Sequence, residues 1–553
     1  IVGEPTVANW TYSIIDTPAV LDGLATGTPA EQEILTNATD VSFEGAPTVT
    51  QLTNVNNVIG AGTLTGTIYA PVADFASFTN SNYDLTVFFT DTADSAVDAG
   101  TVSTFAAKNA GSMTFLNAVD LQGTFAEVQA VVTDPKVNSG SGNATISDTI
   151  SVTQANEIAA NTNKVTATLS TGDLASFDNL AETVNEYTIT MNNSGSESVA
   201  DLLALTAKTV GTVTLQNAAT LSGNASDLTA LLVTDGSKVI LAAGANVTVT
   251  EAVSASVGSD MVSALGGVAG ATISFGSGIE DSLDNLADAG SPTSELSAIV
   301  GADADVAIDI TDASGTLQAA ELVAVGGSTT GLVEVTGAVE IEGNVVDMKA
   351  ALITPATEVS SSTAVTAIVL DSAAAIQSEI DNFGTAPTST ILGLANSIDT
   401  TDDQAVDLTV VEAGDIAAAL VDGYILVDAA TTLSGASAAI VAGAASVTLL
   451  DAVVQATTLT SIASNATGVI DATNVSELTG SAADVDTALT TSGIINLTNP
   501  AVTLDDTTLA ASVLNTLNGN TDGDINANTV TTLTGSAADV DTALTTSGII
   551  NLT

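Results

Sequence analysis

The stretch LTGSAADVDTALTTSGIINLT, Leu478–Thr498, occurs a second time, letter for letter, at Leu533–Thr553. Identity over 21 residues at an offset of 55 is duplication, and self-similarity at an internal period marks a chain that stacks one supersecondary unit on the next. The segment carries two different periods. Ser481 followed three positions later by Asp484 has the form of a helix N-cap with an acid at N3. Ala483, Val485 and Leu489 then form an apolar stripe, Gly493 stops the helix, and IINLT resumes as strand. The next stretch, DDTTLAASVLNTLNGNTDG, repeats the logic, with Leu509, Val513 and Leu517 on one face and Gly519 as the stop. One unit therefore reads strand, short helix, strand, short helix.

Working outward, degenerate copies begin at Leu121 (LQGTFAEVQAVV), Leu221 (LSGNASDLTALL), Ile341 (IEGNVVDMKAAL) and Leu433 (LSGASAAIVAGA). With the two identical copies they share a glycine two residues after the anchor: Gly123, Gly223, Gly343, Gly435, Gly480 and Gly535. The copy at Leu433 lacks the acid that follows in the others. Eight residues before each anchor lies another apolar position: Met113, Val213, Val333, Ile425, Ile470 and Ile525. The stretch VTLQNAATLSG alternates and is rich in β-branched residues, which predicts two short strands around a turn at Asn217. Anchors are spaced by 100, 120, 92, 45 and 55 residues, so unit length is not fixed.

Helices of about two to three turns are marginal alone and need a neighbour to cover them. The fold expected is thus an elongated repeat solenoid, a β-solenoid or a mixed β/α solenoid, with short strands alternating with short helices. Residues 1–105, which hold Trp10, Tyr12, Phe43, Tyr69, Phe75, Phe78, Tyr83, Phe88 and Phe89, suggest a rounder, cap-like region. Residues 106–349 hold the degenerate long repeats, and residues 350–553 an array with no basic residue. Beyond Tyr187 only Phe275, Phe383 and Tyr424 are aromatic. The second identical copy ends the sequence without a polar capping repeat, so the array is expected to continue past the given chain.

Charge narrows the function. The chain has 6 lysines, no arginine, no histidine, 64 acidic residues and a net charge of -58. Nucleic-acid binding needs cations against phosphate, and anionic membranes would repel this surface. Hydrophobic residues make up 45% of the chain, enough to bury a core. No run reaches the roughly 20 apolar residues of a spanning helix, so membrane insertion is not expected. With no cysteine, thiolate metal sites and thiol catalysis are absent. With no histidine, the usual base of a nucleophilic triad is missing. Ser237-Lys238 reads as a turn, and paired carboxylates arise by chance among so many acids. No enzyme is expected.

Calcium is the ligand chemistry this composition favours, because it takes six to eight carboxylate and carbonyl oxygens. Three clusters carry candidate ligands: Asp303, Asp305, Asp309 and Asp312; Asp399, Asp402, Asp403 and Asp407; and Asp522 with Asp524. None fits an EF-hand loop. The plainer reading of each is turn and cap aspartates on a solvated surface.

The composition, units such as TLTGSAADVDTAL, and the opening WTYSIIDTPAVLDGLA with its "SIxDTxxxL" form resemble the giant repetitive acidic cell-surface proteins of aquatic bacteria. Marine cyanobacterial surface and motility proteins, surface-layer components and repeat adhesins are of this kind. The resemblance implies export, display at the cell surface, and a mechanical or adhesive role. The expected function is an extracellular structural protein that forms a filament, sheath or surface layer. Its partners would be copies of itself, joined head to tail or laterally, with divalent cations and cell-surface glycans. The alternatives are an adhesin stalk, a phage tail fibre, and a solenoid enzyme acting on polysaccharide.

Overall fold

A computed structural model describes residues 11–78, 82–140, 142–181, 184–193, 195–361, 365–382 and 390–552. Trp10 and Phe383 lie outside the described residues. The chain forms two compact units, Ile1–Ser277 and Gly278–Thr553. Each is a stack of coils in which short parallel strands alternate with short helices.

In the first unit the strands Ser13–Asp16, Asp40–Phe43, Thr63–Ala70, Tyr83–Phe89 and Met113–Phe115 pair in chain order, all parallel. That ladder runs past residue 105 with no change of architecture. Of the aromatic rings named above, Phe43, Phe75, Phe78, Tyr83 and Phe89 are buried in its core, where Phe75 packs 4.7 Å from Phe105 and Phe89 packs 4.6 Å from Phe115. In the second unit, Val453–Gln455, Glu477–Gly480, Ala501–Leu504, Ile525–Asn526 and Ile549–Ile550 form another such ladder. Among the described strands the exception is the hairpin Ala287–Asp288 with Ser291–Pro292. Its turn residues Ala289 and Gly290 have φ of 49° and 74°, the positive values that a tight antiparallel turn demands.

Side chains alternate along each strand. Val447, Leu449, Val502 and Leu504 point inward and are buried, while their Ser and Thr neighbours face out. Parallel stacking then lays like on like: Leu426, Val447 and Ile470 form one buried row, and Val454, Leu478, Val502 and Ile525 another. The helices close the other side of this core.

Partnered residues on neighbouring strands are 18 to 29 positions apart, and 24 in the ladder around Leu478. The exact repeat of 55 residues therefore holds two coils, with helices starting at Ala482, Ala511 and Ala537. The strand–turn–strand reading of VTLQNAATLSG holds, with strands Val213–Leu215 and Ala219–Gly223. Asn217 sits between them and exchanges side-chain amide bonds with Asn193 on the coil before.

Three sequence expectations need correction. The copy at Leu433 is not equivalent to the others, because Leu433 and Gly435 lie in the helix Ala430–Gly435 and not at a strand end. The first helix, Ala482–Thr490, buries Ala482, Val485 and Ala488, leaving Ala483 exposed and Leu489 half-buried. The second helix begins at Ala511, since Leu509 still belongs to the strand Thr508–Ala510, and the later start turns Leu514 inward and Val513 outward.

The repeat glycines have a packing role. A Cβ on Gly343 would lie 2.7 Å from the Ala319 side chain, and one on Gly223 3.2 Å from Val199. Gly123, Gly223, Gly343 and Gly480 each end a strand beside the start of the preceding coil's helix, and there the two coils approach closely.

Candidate functional site

The carboxylates have a repeated structural task. The first N–H groups of a helix have no partner inside it. At eight helices of this chain one of them is met by an aspartate of the next coil. Ala482 N–H donates to Asp506 at 2.7 Å, Phe125 to Asp148 at 2.7 Å, and Val72 to Asp91 at 3.0 Å. Leu283 donates to Asp312 at 2.8 Å, Ala373 to Asp402 at 3.0 Å, and Val345 to Asp371 at 3.2 Å. Val410 and Ala430 are met in the same way by Asp428 and Asp451. A negative charge at a helix N-terminus is favoured by the helix dipole, so each bond both caps a helix and ties two coils. The N-cap side chain handles a second orphan: Ser481 Oγ accepts from Asp484 N–H at 3.2 Å and donates to its carboxylate at 2.6 Å.

The lysines work at the opposite helix ends. Lys108 Nζ donates to the Phe78 carbonyl, Lys136 to Ala106, and Lys208 to Asp178, each 30 residues back. These carbonyls lie at helix C-termini, where cations are favoured. Lys349 instead pairs with Glu379 at 2.9 Å, Lys164 with Glu186 at 2.7 Å, and Lys238 with Asp235 at 3.2 Å.

The proposed calcium ligands divide. Asp312 and Asp402 are two of the cross-coil caps just described. Asp303 ends the helix Ser294–Ala302, and Asp305 lies exposed in the turn after it. Asp399 stands beside Asp422. It holds its proton more tightly than a free aspartate, first through desolvation, then through its hydrogen bond to Asp422 and the charges of Asp422 and Asp403. The Asp422 carboxyl is held low, mainly by the Thr400 hydroxyl and N–H. Asp403 takes a positive φ of 53° in that turn. Asp407 lies in the strand Val406–Leu408, its backbone bonded to Gln377. Asp522 and Asp524 are exposed. Among the described residues no three acidic side chains are grouped closely enough to hold a metal ion.

Asp309 belongs to a feature that the linear clusters do not show. Strand register places it between Glu280 and Glu334, giving three carboxylates in one column. Like charges directly opposite on neighbouring strands destabilise by roughly 0.2–1 kcal/mol. Asp309→Asn is expected to raise the stability of the second unit by about 0.5 kcal/mol at low salt, with the gain shrinking in high salt. Thermal unfolding at two salt concentrations checks this, and a gain unchanged by salt would count against charge repulsion as its cause.

Two of the hollows in the surface lie against buried apolar side chains. One of about 340 Å³ is lined by Leu231, Leu232, Val239, Ile240 and Val268 and carries no titratable side chain. The other, about 330 Å³, contains Asp98, Lys108 and Glu127 beside Phe75. Its three charged groups are all engaged: Asp98 caps Thr101, Glu127 accepts from Thr124, and Lys108 holds the Phe78 carbonyl. No described helix is long and apolar enough to cross a membrane.

No protein-family model matches this chain, and no curated protein sequence matches it. Among solved structures it is similar to a plant peptide hormone receptor, RGFR1, in complex with RGF2. That match has 12% identity over 95% of this chain and 81% of the receptor, with a TM-score of 0.13. The PEPR1–AtPEP1 structure matches at 9% identity over 98% of this chain and 88% of the other, with a TM-score of 0.15. The leucine-rich-repeat ectodomain of the Arabidopsis receptor kinase HAESA, in complex with a peptide hormone ligand, matches at 9% over 94% and 81%, with a TM-score of 0.14. TM-scores this low are far from those of a shared chain path, and nothing about this chain is taken from these receptors.

Proposed function

We propose that this chain is a non-enzymatic, extracellular structural repeat protein that builds a filament, sheath or surface layer from copies of itself. One observation carries the reading: eight aspartates, and with them several lysines and asparagines, join one coil to the next. Aspartates cap the helices of the coil before, lysines cap helix C-termini, and asparagines bridge turns. A stack reinforced at many of its steps resists bending and local opening, which suits a mechanical role. The remaining surface carboxylates keep chains apart at low ionic strength and allow approach once cations screen them. Calcium and other divalent ions act in this reading as screening partners.

The test is negative-stain electron microscopy of the purified chain, with and without added calcium. Long fibres or sheets that lengthen with calcium are expected. Dispersed particles under every ionic condition would rule out self-assembly as the function.

A further inference from the structure

We propose that the apolar hollow between the helix that starts at Ala225 and the helix Ala255–Leu265 takes up the tail of a single-chain aliphatic amine, whose ammonium head pairs with Asp260. The inference stands apart from the self-assembly reading, since no second copy of the chain takes part.

The hollow comes with a local departure from the repeat. In the copies at Leu121 and Ile341 the helix after the anchor is a regular α-helix of eight residues, Phe125–Val132 and Val345–Leu352. In the copy at Leu221 it is α-helical only over Ala225–Thr229 and then widens into π turns over Ala230–Thr234. The Asp235 N–H closes them by donating to the Ala230 carbonyl at 2.8 Å. Turns of this kind are rare and frequently lie at functional sites. Leu231 and Leu232 of the π turns, with Val239 of the following strand, form a buried floor. The opposite wall is the end of the next coil's helix, at Ala264, and the turn after it, at Gly267 and Val268. Every lining residue is glycine or carries an apolar side chain, so no side chain offers water a hydrogen bond. Apolar hollows of a few hundred Å³ are the usual form of a small-molecule site. This one, about 340 Å³, is rather more than twice the ~150 Å³ of an apolar cavity that takes up benzene, which gives room for a chain of roughly ten carbons.

The head group is chosen by charge. A second, more open hollow of about 400 Å³ adjoins the first and shares Leu232, Gly236 and Ala264 with it. It adds Ser237, Ser263 and Asp260. Asp260 lies one helical turn before Ala264, on the same side of the helix Ala255–Leu265. It is exposed, and its carboxylate has no ion pair or hydrogen bond with any described residue. The neighbouring charges are already matched: Asp235 pairs with Lys238 at 3.2 Å and accepts from the Thr206 hydroxyl at 3.1 Å. A chain end lying in the apolar hollow therefore brings its head beside an unpaired carboxylate. The net charge of -58 favours a cation there and works against the carboxylate of a fatty acid.

The experiment is calorimetric titration of the full 553-residue chain with decylamine, 1-decanol and decanoate, which share one tail and differ in head group, each kept below its micelle-forming concentration. One molecule of decylamine per chain is expected, held about 10-fold or more tighter than decanoate. Ala264→Phe and Gly267→Leu fill the hollow from its wall. Ala264 is exposed and a Cβ on Gly267 would meet nothing within 4 Å, so both variants should fold. Each is expected to weaken decylamine and decanol alike by about 10-fold or more, through lost burial of the tail. Asp260→Asn is expected to weaken decylamine by about 5-fold, the scale of a partly exposed ion pair, and to leave decanol unchanged. Absence of binding, or many amines bound per chain with no change in either filling variant, would overturn the proposal. Decylamine binding that ignores Asp260→Asn would reject the head-group contact. Uptake of the amine only when it is carried in phosphatidylcholine vesicles would reject a site for the free molecule.

Discussion

Gly331→Ala is expected to destabilise the second unit by about 2–3 kcal/mol, while Gly301→Ala, one coil earlier, is expected to stabilise it by about 0.5 kcal/mol. A Cβ on Gly331 would lie 2.3 Å from the Val306 carbonyl oxygen and 2.5 Å from that of Asp305. Both are backbone atoms in a hydrogen-bonded stack, so neither can give way cheaply. Thr329, two residues before, fixes the approach: its hydroxyl donates to the same Val306 carbonyl at 2.7 Å and accepts from the Gly331 N–H at 2.9 Å. The device recurs. Thr209 and Gly211 close over Tyr187, and Thr521 and Gly523 over Pro500. Asn109 and Gly111 make a related contact over Leu85, the Asn109 amide donating to the carbonyls of both Leu85 and Gly111. Gly301 has no atom within 4 Å of its Cβ position and lies in the helix Ser294–Ala302. There a methyl group restricts the unfolded chain and costs nothing in packing. Urea unfolding of both variants checks the pair, and equal effects would show that close approach of the coils is not what requires Gly331.

How much of this was legible follows from what each residue depends on. Ser481, Thr124 and Thr409 announce helix starts because an N-cap and its N3 partner are three residues apart in one chain segment. The Gly in each anchor was visible for the same local reason. The helix faces were less so: a helix that starts at Ala511, with Leu509 still in a strand, carries Leu514 in place of Val513 on its buried side. The coil length was hidden because the exact repeat spans two coils. The cross-coil caps were not readable as bonds, since the separation between donor and acceptor varies from 18 to 29 residues with the loop between them. Their signal was present all the same, as an aspartate at or just past a β-branched strand in VLDS, TLDD and TISD. Grouping aspartates by nearness in sequence instead split this set. Asp312 and Asp402 fell into calcium clusters, while Asp148, Asp371 and Asp506 were passed over. The column Glu280–Asp309–Glu334 likewise depends on register between coils.

Replacing Asp371, Asp428, Asp451 and Asp506 together by alanine is expected to lower the stability of the second unit by about 4 kcal/mol, at about 1 kcal/mol for each lost helix cap. The four sit at different coil junctions with no shared partner, so their effects should add. The paired control is Asp522→Ala with Asp524→Ala, two exposed carboxylates that cap no helix; its effect should stay within about 0.5 kcal/mol. Urea unfolding at neutral pH separates the two outcomes, and similar losses in both would mean that general charge, not capping, sets stability. The pH dependence has a sign that can be worked out. Asp471 is held low by the Thr473 hydroxyl and the Asn496 amide, and Asp422 by Thr400. A depressed carboxylate contributes stability above the usual aspartate value of about 3.9, and that contribution is lost as pH falls through the lower folded value. Asp399 runs the other way. Its raised value favours the folded state in acid, and this contribution is lost as pH rises through the usual aspartate value toward the folded one. Asp399→Asn should therefore raise the melting temperature near neutral pH, where the acid is ionised against Asp422, and leave it little changed below pH about 3. Asp471→Asn should do the reverse, lowering it near neutral pH and changing little in acid. Opposite signs for the two variants at pH 7 are the expected result, and the same sign for both would refute the assignment of Asp399 as the member of its pair that keeps the proton.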